Sequence, residues 1–269
     1  MDRVRRILGY LVFMATAVSV VLGLLTGPGY RAAFWSLRTS VEILYLSSYF
    51  AIAAGGLALI WGLLCLSTRS WARAFVSTSV IALSLAFVLG LRDYRSEARN
   101  HPPIHDVTTD FDDKPAFVKL SPRDYGEEGL IVPDGGRKDL EPLSPTERLR
   151  RWHEEVYADV NSLVMAGDVG QITNIAAQTL RGMRLSLAAV VPEQGRVEAI
   201  HTSRWYGFRD DVVVRVRPLE APCKVVVDVR SVSRIGVSDL GANGARIRRF
   251  LREMADIPAV GCDETGNTS

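Results

Sequence analysis

Three long apolar runs, Ile7–Thr26, Ile43–Leu66 and Ala74–Leu91, hold no Asp, Glu, Lys, Arg or His. As helices rising 1.5 Å per residue, each is long enough to cross a hydrocarbon layer of roughly 30 Å. A chain built this way places its first third in a bilayer. From Arg92 onward the sequence reads as water-soluble. The expected architecture is a three-helix membrane anchor over residues 1–91 and an extended lead-in over 92–145. A soluble α+β domain over 146–257 and a disordered tail over 258–269 follow.

Charge divides at the same place. Residues 1–91 carry seven Arg against Asp2 and Glu42, a net of +5, while residues 92–269 carry a net of −3. The soluble part therefore lacks the concentrated basic footprint that nucleic-acid binding needs. The spans carry no ionisable group of the kind that marks ion paths and proton relays, which argues against transport. Gly55 and Gly56, with Ala53 and Ala54, suit close helix packing. Trp35, Trp61, Trp71 and Tyr30 fall near span ends, where interfacial aromatics belong.

The first run follows Arg3, Arg5 and Arg6 and is longer than an ordinary signal-peptide core, so it reads as a retained helix. With the N-terminus inside, the inner segments hold Arg3, Arg5, Arg6, Arg69 and Arg73, and the outer ones Arg31, Arg38, Arg92, Arg95 and Arg99. That tie leaves the one-sided cluster ahead of the first helix to set the orientation. The reading is a multi-pass protein of a bacterial inner membrane with its soluble domain in the periplasm. Cys65 lies in an apolar run; Cys223 and Cys262 read as unpaired thiols, the alternative being a disulfide between them in an oxidising compartment.

In the soluble part, helical spacing marks Pro145–Val156, Val169–Met183 and Ala242–Met254. Period-two alternation marks strands at Leu185–Val191, Arg196–Trp205, Asp211–Val216 and Lys224–Ser231, joined by turns short enough for antiparallel neighbours. The expected fold is an antiparallel sheet with helices packed on one face. Val212, Val214 and Val216 share a side with Val225, Val227 and Val229 of the next strand. Asp211, Arg215, Asp228 and Arg230 take the opposite side, with Arg230 near Asp211 and Asp228 near Arg215.

That polar ladder has two readings. One is a solvated or lead-in-covered face whose charges fix register. The other is an anion-binding groove of Asp211, Arg215, Asp228, Arg230 and Arg234, with Asn243 at the start of the last helix. The N–H groups there suit a phosphate or carboxylate, although Ser238 or Asp239 is placed to cap them. His101, His105 and Asp106 form the metal candidate, since imidazoles and a carboxylate serve zinc or iron. Pro102 and Pro103 prevent a helix that would present both imidazoles on one face. No Gly-x-Ser-x-Gly, Walker or dinucleotide loop occurs, and no cofactor is implied.

Four blocks carry a family resemblance: His101-Pro-Pro-Ile-His105-Asp106-Val-Thr-Thr-Asp110, Trp205-Tyr-Gly-Phe208-Arg-Asp210-Asp211-Val-Val-Val-Arg215, Asp228-Val-Arg230-Ser231-Val-Ser233-Arg234 and Asp239-Leu-Gly241-Ala-Asn243. Over roughly residues 100–255 the chain resembles the family called domain of unknown function 1499. The resemblance implies a bacterial envelope protein with N-terminal membrane helices. It supplies no activity, cofactor or catalytic residue. The functional expectation is a non-enzymatic binding or interaction domain. Its partners would be the lipid bilayer and an envelope protein or anionic small molecule. The alternative is a membrane-anchored metal-dependent hydrolase using His101, His105 and Asp106.

Overall fold

The computed structural model describes residues 2–120 and 133–258. The expected tail from residue 259 on, Cys262 included, lies outside the described residues. Cys223, expected as an unpaired thiol, is instead disulfide-bonded, because a bond between distant segments leaves no local signal in the sequence. The chain divides into two compact units with their boundary at Asn100 and His101.

The first unit holds α1 (Asp2–Arg31), α2 (Leu37–Ser67) and α3 (Trp71–Asn100). All three are long and apolar enough to cross a membrane, and each extends beyond its apolar run into polar flanks. Helices α1 and α3 both pack along α2. Small residues at the seams let the backbones approach, and their hydroxyls tie helix to helix. Ser19 Oγ donates to the Ser47 carbonyl at 2.9 Å, Ser40 Oγ to that of Thr26 at 2.7 Å, and Ser77 Oγ to that of Ala58. Ala54 is buried and Gly55 lies against Ser84, whereas Gly56 faces open space. Trp61 is turned inward and only 5% exposed.

The second unit is a six-stranded antiparallel sheet with helices on one face. Its strands are β1 (Asp106–Thr108), β2 (Leu163–Ala166), β3 (Ser186–Val191), β4 (Arg196–Thr202), β5 (Arg209–Pro218) and β6 (Lys224–Ser233). The order is β1-β6-β5-β4-β3, with β2 also pairing with β6. Strand β1 takes one end of β6 (Asp106 opposite Val232) and β2 the other (Leu163 opposite Val227). These two strands, too short for a period-two signal, are absent from the sequence reading. The β3–β4 turn needs Gly195, whose φ is +62° and where a Cβ would sit 2.0 Å from the Val216 carbonyl oxygen.

Helices α4 (Pro145–Val156), α5 (Val169–Gly182) and α6 (Ala242–Ala255) complete the unit. Helix α4 starts where the sequence offers every start signal: Ser144 and Glu147 form a capping box, and Pro145 opens the first turn. The core is the valine face of β5 and β6, at most 2% exposed, packed by Ile172 and Leu180 of α5 and Ile247, Phe250 and Met254 of α6. The opposite face is covered by the chain between β1 and Leu120.

Candidate functional site

The covered face is a ladder of ion pairs. Arg215 lies directly across from Asp228 in the register of β5 and β6. Its Nε and Nη2 donate to Asp228 Oδ2 at 3.1 and 2.9 Å. Arg217, one pleat further on, reaches the same oxygen from Nε at 3.0 Å and Nη2 at 2.8 Å. Ser162 Oγ donates to the other oxygen at 2.6 Å. Asp228 has no exposed surface, yet every contact it makes is a donor. That is the condition under which a buried carboxylate is tolerable.

Residues 109–120 then cross the sheet as a strap. Asp113 accepts from Arg215 Nη1 at 2.9 Å, and Asp110 accepts from Arg215 and Arg217 at 3.3 and 3.2 Å. Further along, Glu198 on β4 is fully buried and accepts the backbone N–H groups of Val118, Lys119 and Leu120 at 2.7–3.0 Å. One carboxylate thereby fastens three consecutive residues, and Arg196 stands beside it at 3.2 Å.

The expected neighbourhood of Arg230 and Asp211 does not become an ion pair. Asp211 faces Val232 across the strands and Arg230 faces Val213, so the two are diagonal neighbours. Each has a closer partner that the sequence reading lacks. Strand β1 brings Asp106 beside β6, where Arg230 grips it with two bonds of 2.9 Å and Lys114 stands 3.6 Å away. Arg234, just past the end of β6, folds back onto Asp211 at 2.8–3.1 Å. Across the face, Asp106, Asp110, Asp113, Glu198, Asp211 and Asp228 balance Lys114, Arg196, Arg215, Arg217, Arg230 and Arg234.

Asn243 does not join them. It is fully buried on the helix-facing side, where its Nδ2 donates to the His105 carbonyl at 3.1 Å and to Ser233 Oγ at 3.0 Å. Around it lies a second polar cluster. Arg246 donates to Ser231 Oγ at 2.8 Å, to Asn243 Oδ1, and to Asp210 Oδ2 at 2.6 Å, and its Nη2 lies 3.0 Å from His201 Nδ1. His201 also stands 3.4 Å from Asp210. The sequence reading misses this cluster. The one signal for it is that Arg246 lies four residues before Phe250, inside the buried stripe of α6.

The anion position at the start of α6 is occupied by the chain itself. Asp239 accepts the N–H groups of Gly241 at 2.8 Å and Asn243 at 2.7 Å. Ser238 instead donates to the Pro102 carbonyl at 2.9 Å and accepts from Leu240 N. The metal candidates are also committed elsewhere. Asp106 is held by Arg230 and Lys114, His105 is buried, and His101 lies against Gly241. Among the described residues no three His, Cys, Asp or Glu side chains are grouped to hold a metal ion.

These environments shift the carboxyls in opposite directions. Burial pushes Asp106 up, but the hydrogen bonds and charge of Arg230, aided by Lys114, outweigh it and hold Asp106 below 3.8. Burial also pushes Asp210 up, and His201, Arg246 and Ser233 together bring it below the same value. Asp239 stays raised by burial, its two backbone donors only partly offsetting it. A lowered carboxyl contributes stability that is complete above its unfolded value and lost as pH falls through its folded one. Asp239 has the opposite sign, losing its contribution as pH rises. The two lowered groups are buried ion-pair members, so the full-length protein is expected to lose thermal stability progressively from about pH 5 to about pH 2. A melting series across that range checks this. A midpoint that holds or rises on acidification would mean these pairs contribute no more than Asp239 regains.

The comparisons with known proteins agree with the fold boundaries. A family model described as "Protein of unknown function (DUF1499)" matches residues 106–254, more than half of the chain. The match begins at the first residue of β1 and ends in the last turn of α6. No curated protein matches the chain.

Proposed function

The chain belongs to the DUF1499 family, and we propose that it is a non-enzymatic membrane-anchored binding protein. In this reading the soluble domain faces the periplasm of a bacterial inner-membrane protein and recognises an anionic envelope component or an acidic segment of an envelope protein. The observation that carries the reading is the row of guanidinium groups on the charged face. Arg217 at its rim is 42% exposed, and the Asp113 carboxylate laid over Arg215 and Arg217 is 66% exposed. The strap's own carboxylates occupy the positions an anionic ligand would take, and an exposed one is the easiest to displace. The periplasmic address is supported by the arginine cluster ahead of the first span.

The sharpest variant is Arg217→Ala. Asp228 keeps Arg215 and Ser162 as donors, so stability is expected to change by less than about 1 kcal/mol. A photo-crosslinker at Asp112 in native membranes should capture its partner in the wild type and lose it in this variant. Equal capture by both returns the ladder to a purely structural role. A C-terminal reporter that is active only in the cytosol would overturn the periplasmic address while leaving the anchor untouched.

A further inference from the structure

We propose that the N-terminal end of the helical unit binds the headgroup of an anionic phospholipid. Two cavities lie between α1, α2 and α3, each lined by residues of all three helices. The cavity at the N-terminal end is about 410 Å³ and is lined by Arg5, Arg6 and Arg73, with Gly9, Tyr10 and Trp61. The other, about 400 Å³ and almost wholly apolar, starts at Thr16 and ends at Leu24 on α1. The lining positions of α1, including Arg6, Gly9, Phe13, Thr16, Val20 and Gly23, follow one another at steps of three or four, so one helix face walls both cavities.

Donors without acceptors set the ligand's chemistry. Trp61 is 5% exposed, and its indole N–H is buried with no acceptor among the described residues. The Arg5 Nε–H is in the same state, while the rest of that guanidinium reaches Asp2 and Thr68. Arg6 and Arg73 are exposed and make no ion pair among the described residues, and Asp2 is the only acidic side chain in the lining. A buried N–H without a partner is costly, most of all where no water reaches it. A phosphodiester offers acceptor oxygens, a negative charge and no N–H of its own. Basic pockets between membrane helices take lipid headgroups on this principle.

The depth also fits. Arg6 to Thr16 is roughly 15 Å of helix, one leaflet of a core roughly 30 Å thick. Acyl chains of a lipid held at the arginines would therefore run along Phe13 and end where the apolar cavity opens. The inference holds whichever side of the membrane the N-terminus faces.

The test is native mass spectrometry of the full-length protein released from phosphatidylcholine nanodiscs doped with phosphatidylglycerol. The wild type should retain phosphatidylglycerol in preference to phosphatidylcholine. Trp61→Phe, which keeps the ring and removes the N–H, should retain roughly ten-fold less. The paired variant Arg6→Gln, Arg73→Gln alters only exposed side chains and should lose the preference altogether. Added inorganic phosphate should displace none of the bound lipid. Equal retention of the two lipids by the wild type overturns the proposal. So does a well-folded Trp61→Phe protein that retains lipid like the wild type, since that outcome reduces the arginines to ordinary surface attraction. If Trp61→Phe melts early in pure phosphatidylcholine discs, the paired arginine variant decides, and unchanged preference there overturns the proposal. Displacement by inorganic phosphate would mean a free anion site instead of a lipid site.

Discussion

Replacing Arg246 by methionine is expected to destabilise the soluble domain by about 3–5 kcal/mol, the cost of stranding one member of a buried charge pair. Arg246 and Asp210 have side chains only 7% and 11% exposed, joined at 2.6 Å. Methionine fills the volume of the aliphatic stem but leaves the Asp210 carboxylate with His201 and Ser233 as its remaining partners. It also removes the guanidinium that donates to both Ser231 and Asn243, leaving between them only their direct hydrogen bond of 2.7 Å. Asp210→Leu combined with Arg246→Met should recover much of the loss, because removing both charges removes the desolvation cost with the attraction. Chemical or thermal unfolding of the full-length protein, with the pair read as a double-mutant cycle, measures this. If the single and double variants lose the same amount, the cluster is held by packing and the charge pair is incidental.

Glu198→Ala is expected to release the strap at a cost of about 3 kcal/mol, taking roughly 1 kcal/mol for each backbone N–H that loses its acceptor. Those N–H groups belong to Val118, Lys119 and Leu120, and among the described residues no other carboxylate reaches them. The effect should be local before it is global. Amide exchange at residues 118–120 should speed up by orders of magnitude, while the valines of β5 and β6 keep their protection. Glu198→Gln should do nearly as much harm as alanine, because one half of the amide would present donors to donors. If exchange over the strap is unchanged in both variants, the ion pairs of Asp110 and Asp113 suffice to hold it. The Arg217→Ala binding test then needs to be read with the strap treated as fixed.

Arg230 belongs with these cases and not with ligand capture. Its guanidinium holds Asp106, which is only 10% exposed, in a bidentate pair. Removing it strands a buried carboxylate, so Arg230→Ala mixes any binding defect with lost stability. Arg217 separates the two because Asp228 retains other donors.

How far the sequence reaches can be judged residue by residue. Valines at alternating positions in β5 and β6 specify one apolar face whatever the details of the turn, because side chains on a strand alternate. The pairing of Arg215 with Asp228 follows from that alternation and one register. Ser144, Pro145 and Glu147 place the start of α4 at the observed residue for local reasons that need no tertiary context. The three membrane helices are equally legible, since length and hydropathy alone set the requirement.

The tertiary structure decided which charge meets which. Asp106 and Glu198 look like any other acidic residue along the chain, and nothing local says that one will be gripped by Arg230 and the other by a strap 78–80 positions away. Strands β1 and β2 escape notice because three or four residues carry too few alternations to register, and only the free edge of β6 makes them strands. Arg246 hides for a related reason. Hydrophobic periodicity treats an arginine as a surface residue, whereas the fold buries it by supplying Asp210 and Ser231 from the strands, beside Asn243 one turn earlier on its own helix. Apolar burial is additive and local enough to read along a chain, but the placement of a buried charge depends on partners that only the folded arrangement brings together.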